Sequence, residues 1–156
     1  MASFLQWQCH RFDGFTPVTL YEMLQLRDRV FVVEQQSIYG DIDGVDLSAW
    51  HLAGRDGSGR LIAYARLIDP GVKYPDAVAI GRVVVAPEVR GKGLGKQLMA
   101  EAVTRCERLF SATPIMLSAQ VGAQGLYQAF GFAAVSEEYD DGGIPHVDMR
   151  REAHGA

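Results

Sequence analysis

Residues 83–96 read Val83-Val84-Val85-Ala86-Pro87-Glu88-Val89-Arg90-Gly91-Lys92-Gly93-Leu94-Gly95-Lys96. This pattern predicts an apolar strand, a short break, and a glycine-rich basic loop that opens a helix. The glycines let main-chain N–H groups approach an anion, and a helix N-terminus adds unpaired donors and a partial positive charge. Arg90, Lys92 and Lys96 add three cations to a chain whose net charge is -4. The segment therefore predicts a specific phosphate-bearing ligand.

Two common phosphate-binding motifs do not fit this spacing. A P-loop needs glycine, four residues and then Gly-Lys-Ser/Thr, but Arg90 stands at its first glycine position and Gln97 at its hydroxyl position. The dinucleotide pattern Gly-x-Gly-x-x-Gly would end at Lys96 or at Leu98. ATP, GTP, NAD and FAD are therefore not expected. For the glycines alone, an ordinary strand-to-helix turn is the alternative.

A second motif follows after room for one helix and one strand, and it reads Leu126-Tyr127-Gln128-Ala129-Phe130-Gly131-Phe132. Gly131 is typical of a helix C-terminus with positive φ, and the two phenylalanines indicate core packing. Tyr127 carries a phenol whose usual pKa is roughly 10, so it can protonate a leaving thiolate. A hydrogen-bonded core tyrosine is the alternative interpretation.

Composition indicates a globular protein. The chain has 156 residues, 48% hydrophobic and 22% charged, which predicts one domain over residues 1–156. No export or membrane-anchoring segment is visible, so we expect a cytoplasmic protein without a membrane partner. The negative net charge argues against a nucleic-acid partner. Cys9 and Cys106 lack metal-type spacing and are expected to be buried reduced thiols.

Hydrophobic periodicity predicts a mixed sheet with helices on both sides. Thr16 is expected to cap a helix with Pro17 in its first turn and with Leu20, Met23, Leu24 and Val30 on one face. The glycine loop leads into a helix from Gly93 to Leu109, on which Glu101 pairs with Arg105. Strands are predicted at Phe4–Cys9, Trp50–Arg55, Leu61–Leu67, Val78–Val85, Ile115–Ala119, Ala133–Glu138 and His146–Arg150, with a hairpin turn at Asp56–Gly59.

The spacing Arg90-x-x-Gly93-x-Gly95 resembles the Arg/Gln-x-x-Gly-x-Gly/Ala signature with which GCN5-related N-acetyltransferases, the GNAT superfamily, bind the pyrophosphate of acetyl-CoA. Residues 126–132 resemble the helix and turn that carry the catalytic tyrosine of that superfamily. The chain is similar to the ElaA-type branch over nearly its full length, in the segments Leu24–Arg27, Phe31–Gln35, Asp41–Gly44, Tyr64–Arg66, Ile80–Val83 and Gly143–His146. The resemblance implies an α/β fold with a central, mostly antiparallel sheet flanked by helices on both faces.

The resemblance also implies an acetyl-CoA-dependent N-acetyltransferase that acetylates a primary amine of a small molecule or peptide, with Tyr127 as general acid. Backbone groups of three strand residues would pair with the pantetheine arm, and the loop would bind the pyrophosphate. Gln120 occupies the place where many members have an asparagine beside the cofactor. The implied cofactor-binding residues are Val83, Val84, Val85, Arg90, Gly91, Lys92, Gly93, Leu94, Gly95, Lys96 and Gln120.

The general base is less clearly marked. Many GNAT members place a glutamate on the strand before the phosphate loop, but residues 77–85 contain no carboxylate. Glu34 closes the apolar run 31–33, where its pKa could be raised. His146 has a usual pKa of roughly 6.5, which suits a base near neutrality. We rank Glu34 first, His146 second and His51 last, with structural roles as the alternative for each and a water chain as another base.

Asp41, Asp43 and Asp46 surround Gly44, but the glycine comes too early for an EF-hand loop, so no metal site is expected. A solvated acidic loop is the main expectation, and attraction of a cationic amine is the alternative. Arg66 and Arg82 could pair with these aspartates or orient an acidic group of a substrate. The sequence leaves both possibilities open.

Two other functions remain open. A binding protein that keeps the acyl-CoA pocket without turnover would serve as a sensor or partner subunit, and the absence of a strand carboxylate favours it. The second possibility is an acyltransferase that uses a different acyl donor or acceptor, because residues 27–34 resemble the early helices of acyl-homoserine-lactone synthases. A homodimer is possible, since dimers are the commonest homo-oligomers.

Overall fold

The computed structural model describes residues 5–153, which contain eight strands and three α-helices. The strands are β1 (Gln6–Arg11), β2 (Trp50–Arg55), β3 (Leu61–Ile68), β4 (Val78–Val85), β5 (Ile115–Gln120), β6 (Ala133–Ala134), β7 (Tyr139–Asp141) and β8 (Ile144–Arg151). The helices are α1 (Pro17–Arg27), α2 (Leu94–Leu109) and α3 (Gln124–Gln128). The described part of the chain has no helix long and apolar enough to cross a membrane.

The strands form one sheet in the order β1-β2-β3-β4-β5-β8-β6, and β7 pairs with β8. Every pairing is antiparallel except that of β4 with β5, which is parallel. A parallel pair needs a long crossover connection. Here the connection contains the glycine-rich loop and α2, so the fold places that loop at the carboxyl end of β4.

Helices cover both faces of the sheet, as predicted. The stripe of Leu98, Ala102 and Cys106 on α2 packs on one face against β3, β4, β5 and β8. On the other face, Met23 and Leu26 of α1 pack against β2, β3 and β4. Leu20 and Leu24, which were expected on the buried face of α1, are only half-buried. Each face therefore has its own apolar cluster, and α2 spans the centre of the sheet.

The start of α1 confirms the predicted cap. The hydroxyl of Thr16 accepts a hydrogen bond from the Thr19 backbone N–H at 3.1 Å, and the Thr19 hydroxyl accepts one from the Thr16 N–H at 2.9 Å. Two orphan donors of the helix are satisfied reciprocally. After α1 the chain widens into a π-helical turn, Asp28–Glu34, in which the Gln35 N–H donates to the Val30 carbonyl at 3.1 Å. The sequence analysis missed this turn.

The remaining elements lie close to their predicted bounds. The hairpin turn closes through the Gly59 N–H, which donates to the Asp56 carbonyl at 3.0 Å. The Arg105 guanidinium lies 2.7 Å from Glu101, as expected. Both cysteines are free, although Cys9 is only half-buried. The first strand is shifted toward Arg11, and Phe4 lies outside the described residues. Of the strand predicted at Ala133–Glu138, only Ala133–Ala134 is a strand, and β7 begins just beyond the predicted end, at Tyr139.

Candidate active site

The central feature of the sheet is a split between its two parallel strands. Only Val78 with Ile115 and Ala79 with Met116 are paired between β4 and β5. Residues 80–85 and 117–120 continue without pairing to each other. A cleft of about 700 Å³ opens there, and both strands line it. Clefts of this size at a strand switch are where α/β proteins bind ligands.

The β4 wall of the cleft contains a β-bulge. Tyr64 pairs with Val84 and Arg66 pairs with Gly81, so Ala65 of β3 faces both Arg82 and Val83 of β4. Arg82 adopts a φ of +50°, which is uncommon for a residue with a side chain. A bulge leaves ladder groups unpaired and re-aims the strand. It therefore frees backbone polar groups of β4 beside the cleft.

The glycine-rich loop lies at the end of this wall. Gly91 and Gly93 have φ values of +81° and +79°, and a Cβ added to either would meet nothing within 4 Å. Gly93 is the N-cap of α2 and supplies no side-chain cap, so the first N–H groups of the helix keep their donor capacity. Gly95 lines the cleft, and Lys92 and Lys96 are exposed nearby. Leu94 is 3% exposed, so only its backbone can serve a ligand.

Arg90 and Glu34 meet at the cleft. Each terminal nitrogen of the guanidinium donates to a carboxylate oxygen at 2.8 Å, and both side chains are 43% exposed. The hydrogen bond from Arg90 lowers the pKa of Glu34. The expected raised pKa of Glu34 is therefore wrong, because the guanidinium stabilises the ionised carboxylate.

Tyr127 lies on the opposite side of the cleft, on α3. Its ring packs edge-on against Phe132, with 6.3 Å between the ring centroids, and it lines the cleft together with Leu126. Burial raises the pKa of the Tyr127 phenol, which therefore stays protonated at neutral pH. Phe132 is buried and Gly131 has a φ of +89°, as the motif predicted.

The β5 and β8 strands form the far wall. Ser118, Gln120 and His146 line the cleft there, and Gln120 pairs with His146 across the two strands. The His146 Nδ1 lies 2.7 Å from the Ile144 carbonyl oxygen. Because a carbonyl only accepts, Nδ1 carries the proton and Nε2 of the neutral ring keeps a free lone pair. In the neutral ring this is the tautomer that a base requires.

The expectation of a solvated acidic loop is wrong for Asp41 and Asp46, which are buried, whereas Asp43 is exposed. Asp41 and Asp46 are 8% and 5% exposed, and both bind Arg27, which is fully buried. The Arg27 Nε lies 2.7 Å from Asp41 and its Nη1 lies 2.7 Å from Asp46. Burial disfavours the charged guanidinium, but the hydrogen bond to Asp46 and the neighbouring anions raise the pKa of Arg27. Arginine suits such a site because its fork serves two carboxylates at once.

Arg66 and Arg82, whose partners the sequence left undecided, also belong to this network. Arg66 donates to both oxygens of Asp43, at 2.8 and 2.9 Å, and to Asp46 at 3.1 Å. Arg82 donates from Nε to Asp41 at 2.6 Å. Both arginines therefore pair with the aspartates, and Arg82 ties the loop to the bulge of β4. No group of three or more potential metal ligands occurs within residues 5–153.

His51 lies in the core under this loop. Its Nε2 lies 2.9 Å from the Asp46 carbonyl oxygen and its Nδ1 lies 2.7 Å from the Tyr64 hydroxyl. Burial lowers the pKa of His51, so the ring is neutral and both of its nitrogens are occupied. The structure assigns His51 a packing and hydrogen-bonding role instead of a role in the cleft.

Comparison with known proteins decides the family. The Acetyltransferase (GNAT) domain family matches residues 20–153. The chain is a GNAT family member. Protein ElaA of Escherichia coli is 41% identical over 150 residues, which cover 95% of this chain and 97% of ElaA. The crystal structure of that ElaA matches with a TM-score of 0.88, and the match covers 96% of this chain and 100% of the ElaA chain. The chain therefore belongs to the ElaA-type branch of the GNAT superfamily.

Solved structures agree with this GNAT assignment. The crystal structure of an acyl-CoA N-acyltransferase from Pseudomonas aeruginosa is 47% identical and has a TM-score of 0.89. The match covers 95% of this chain and 99% of that protein's chain. The acyl-homoserine-lactone synthase LasI has a TM-score of 0.78 with 19% identity, and the match covers 97% of this chain and 91% of LasI. At that identity the likeness to LasI concerns the fold alone. The family indicates an acyl-CoA-dependent N-acyltransferase.

Within this GNAT fold, the structure brings most of the predicted site residues to one cleft. The cleft is lined by Val83, Val84, Val85, Arg90, Gly95, Gln120, Tyr127, Glu34 and His146. Sequence reasoning missed Arg27, the bulge at Arg82, and Ser118. The roles of these residues depend on contacts between segments that are far apart in the chain, which motifs do not reveal.

Proposed function

We propose that this GNAT protein transfers the acetyl group of acetyl-CoA to a primary amine of a small molecule or peptide. The split between β4 and β5 is the observation that carries this proposal. It opens a cleft with a glycine-rich helix start at one end, unpaired backbone on one wall, and a phenol on the other. A thioester ligand needs these three features together.

The cofactor would be held by backbone groups on one side and cations on the other. The main chain of Val83, Val84 and Val85 would pair with the pantetheine arm where β5 no longer does. The loop 90–96 and the N-terminus of α2 would bind the pyrophosphate, since free N–H groups and a positive end favour an anion there. The Gln120 amide would contact the pantetheine arm from the opposite strand.

The reaction itself is direct attack. The amine nitrogen forms a bond to the thioester carbon, the carbon–sulfur bond breaks, and the departing thiolate takes the phenolic proton of Tyr127. The raised pKa of Tyr127 keeps that proton available at neutral pH. A free N–H of the β4 bulge would stabilise the carbonyl oxygen while it carries negative charge.

The nitrogen must lose one proton as the new bond forms. We propose His146 as the group that receives it, because His146 lines the cleft and its Nδ1 is bound to the Ile144 carbonyl, which leaves the Nε2 lone pair for the amine. Glu34 is the weaker candidate, since its carboxylate is already bound to Arg90 and its pKa is lowered. An amine with a pKa of roughly 10 would enter as its neutral fraction.

Calorimetric titration with acetyl-CoA tests the proposal directly, with desulfo-CoA, ATP and NADH as controls. Selective micromolar binding of acetyl-CoA, followed by amine-dependent release of free thiol in a screen of primary amines, supports the proposal. A folded protein that does not bind acetyl-CoA contradicts it, because fold alone does not specify function.

A non-catalytic acyl-CoA sensor is the second candidate, favoured by the absence of a carboxylate in residues 77–85. Such a protein would bind acetyl-CoA and release no thiol with any amine. A donor with a longer acyl chain is a variant of the enzyme hypothesis. A titration series from acetyl-CoA to octanoyl-CoA separates the two, because a site built for a long chain gains affinity with each added methylene.

A further inference from the structure

A chain of hydrogen bonds crosses three strands on the far wall of the cleft. The Tyr139 hydroxyl on β7 donates to the Asp148 carboxylate on β8 at 2.6 Å. The same phenolic oxygen is hydrogen-bonded to the Ser118 hydroxyl on β5. Since the phenol has one proton and gives it to Asp148, its oxygen accepts the proton of Ser118. The lone pairs of the Ser118 oxygen are therefore left for other donors.

The sheet register places Ser118 beside the reacting position. Ser118 pairs with Asp148 and Gln120 pairs with His146, so all four side chains share one face. Diagonal neighbours in such a ladder lie roughly 7–8 Å apart, which puts Ser118 and His146 within reach of one amino group. On the other wall, Ala79 pairs with Met116, so Ser118 stands level with Gly81, next to the bulge at Arg82 and Val83.

The charge of Asp148 reaches the cleft through this chain. Hydrogen bonds in series polarise one another, so the carboxylate makes the Ser118 oxygen a stronger acceptor. Burial and the bond to Asp148 raise the pKa of the Tyr139 phenol, which therefore remains a proton donor. The other titratable groups around this chain are Lys73, Tyr74, Asp141 and His146.

We propose that Ser118 accepts a hydrogen bond from the amino group of the acceptor, and that Tyr139 and Asp148 are positioning residues that fix its hydroxyl. This inference rests on the proposed function. A primary amine has two N–H groups besides its lone pair. One donates to Ser118, the other faces Nε2 of His146, and the lone pair attacks the thioester. A secondary amine has a single N–H group, so it leaves one of the two protein groups without a partner.

The test compares four variants for acetyl-CoA affinity and for turnover of a primary amine and its N-methyl derivative. Ser118→Ala is expected to lower kcat/KM for the primary amine by about 10- to 100-fold, with acetyl-CoA affinity unchanged. Its preference for the primary over the N-methyl amine is expected to fall by a similar factor. Ser118→Thr keeps a hydroxyl and is expected to restore the rate to within a few-fold of the wild type.

Tyr139→Phe keeps the ring on His146 and removes only the hydroxyl, so a smaller loss of about 3- to 10-fold is expected. Ser136→Ala is the matched control. The Ser136 hydroxyl accepts from the Asp148 backbone N–H at 2.9 Å but lies outside the Ser118 chain. Like Tyr139→Phe, this variant removes a hydroxyl that contacts Asp148. We expect its turnover and its amine preference to equal those of the wild type.

Three results would overturn the proposal. Ser118→Ala with unchanged amine preference removes Ser118 as the acceptor contact. Equal losses in Ser136→Ala and Tyr139→Phe would reduce the hydrogen-bonded chain to a brace for the β7–β8 hairpin. A wild-type protein that does not bind acetyl-CoA, or binds it without turning over any primary amine, refutes the proposed function and the role of Ser118 with it. The first two results leave the proposed function intact.

Discussion

Arg90 and Glu34 form a bidentate ion pair at the cleft, with both nitrogen–oxygen distances at 2.8 Å. Arg90 is the first residue of the proposed phosphate-binding motif, and its guanidinium is held by this carboxylate. A pyrophosphate would have to compete with Glu34 for the same donors. Exposed ion pairs are weak and are screened by salt, which makes this competition modest.

Glu34→Gln is therefore expected to tighten acetyl-CoA binding by about two- to fivefold at low ionic strength. The gain should disappear in 0.5 M salt, because screening already weakens the pair in the wild type. Calorimetry at both salt concentrations measures this. Glu138→Gln is the control, since it removes the same charge from an exposed residue. Weaker binding by Glu34→Gln would show that Glu34 helps to hold the cofactor.

Gly93→Val is expected to abolish acetyl-CoA binding while the fold survives. The backbone at Gly93 has a φ of +79°, which costs a residue with a side chain about 1–2 kcal/mol, and the valine would occupy the open space above the loop. Gly59→Val is the control, because Gly59 has a φ of +86° and equally open surroundings in the β2–β3 turn. Similar thermal stability of the two variants, with binding lost only in Gly93→Val, is the expected result.

Tyr127→Phe is expected to leave acetyl-CoA affinity nearly unchanged and to lower the rate of thiol release by about 10²- to 10⁴-fold, the usual range for a general acid. Because burial raises the pKa of Tyr127, the wild-type rate should not fall with rising pH before about pH 10. Tyr21→Phe, at an exposed site on α1, is the control. Unchanged turnover in Tyr127→Phe would remove this residue as the acid.

Arg27→Met is expected to lower the free energy of unfolding by about 3–5 kcal/mol, because it leaves two buried carboxylates without their main partner. Urea denaturation measures this loss. Arg29→Met is the control, since the ion pair of Arg29 with Glu88 is exposed and should contribute less than about 1 kcal/mol. Equal losses in both variants would mean that burial of the Arg27 network adds nothing to stability.

The same network predicts loss of stability in acid. Burial opposes the ionisation of Asp43, but the hydrogen bond and charge of Arg66 outweigh it and lower the pKa to about 2. An unfolded aspartate has a pKa of roughly 3.9. The stabilisation is therefore fully present above about pH 4 and is lost as the pH falls toward 2. Urea midpoints between pH 5 and 2 should fall more steeply for the wild type than for Asp43→Asn.

Capping and turn rules correctly predicted those parts of the fold that depend on residues close together in the sequence. The Thr16 cap, the turn at Asp56–Gly59 and the helix after Gly93 follow from turn and capping residues that act over four or five positions. The burial of Asp41 could not be predicted in that way. Its environment depends on Arg27 and Arg82, which lie 14 and 41 positions away in the chain.

The candidate site likewise contains residues that local motifs predicted and contacts that they did not predict. Tyr127 and the glycine loop were found from motifs, because each motif occupies a few consecutive residues. The pairing of Glu34 with Arg90 spans 56 positions and reversed the expected direction of the pKa of Glu34. Ser118 was missed because its neighbours come from β7 and β8, which the chain reaches only after α3.

Only two residue pairs join β4 to β5, so the sheet consists of two plates that meet along a short seam. Leu98, Ala102 and Cys106 of α2 pack against both plates and do not line the cleft. The packing of α2 therefore influences the angle between the plates, and with it the width of the cleft. Exchanges of volume at these three positions would tune which molecules enter a site that none of them touches.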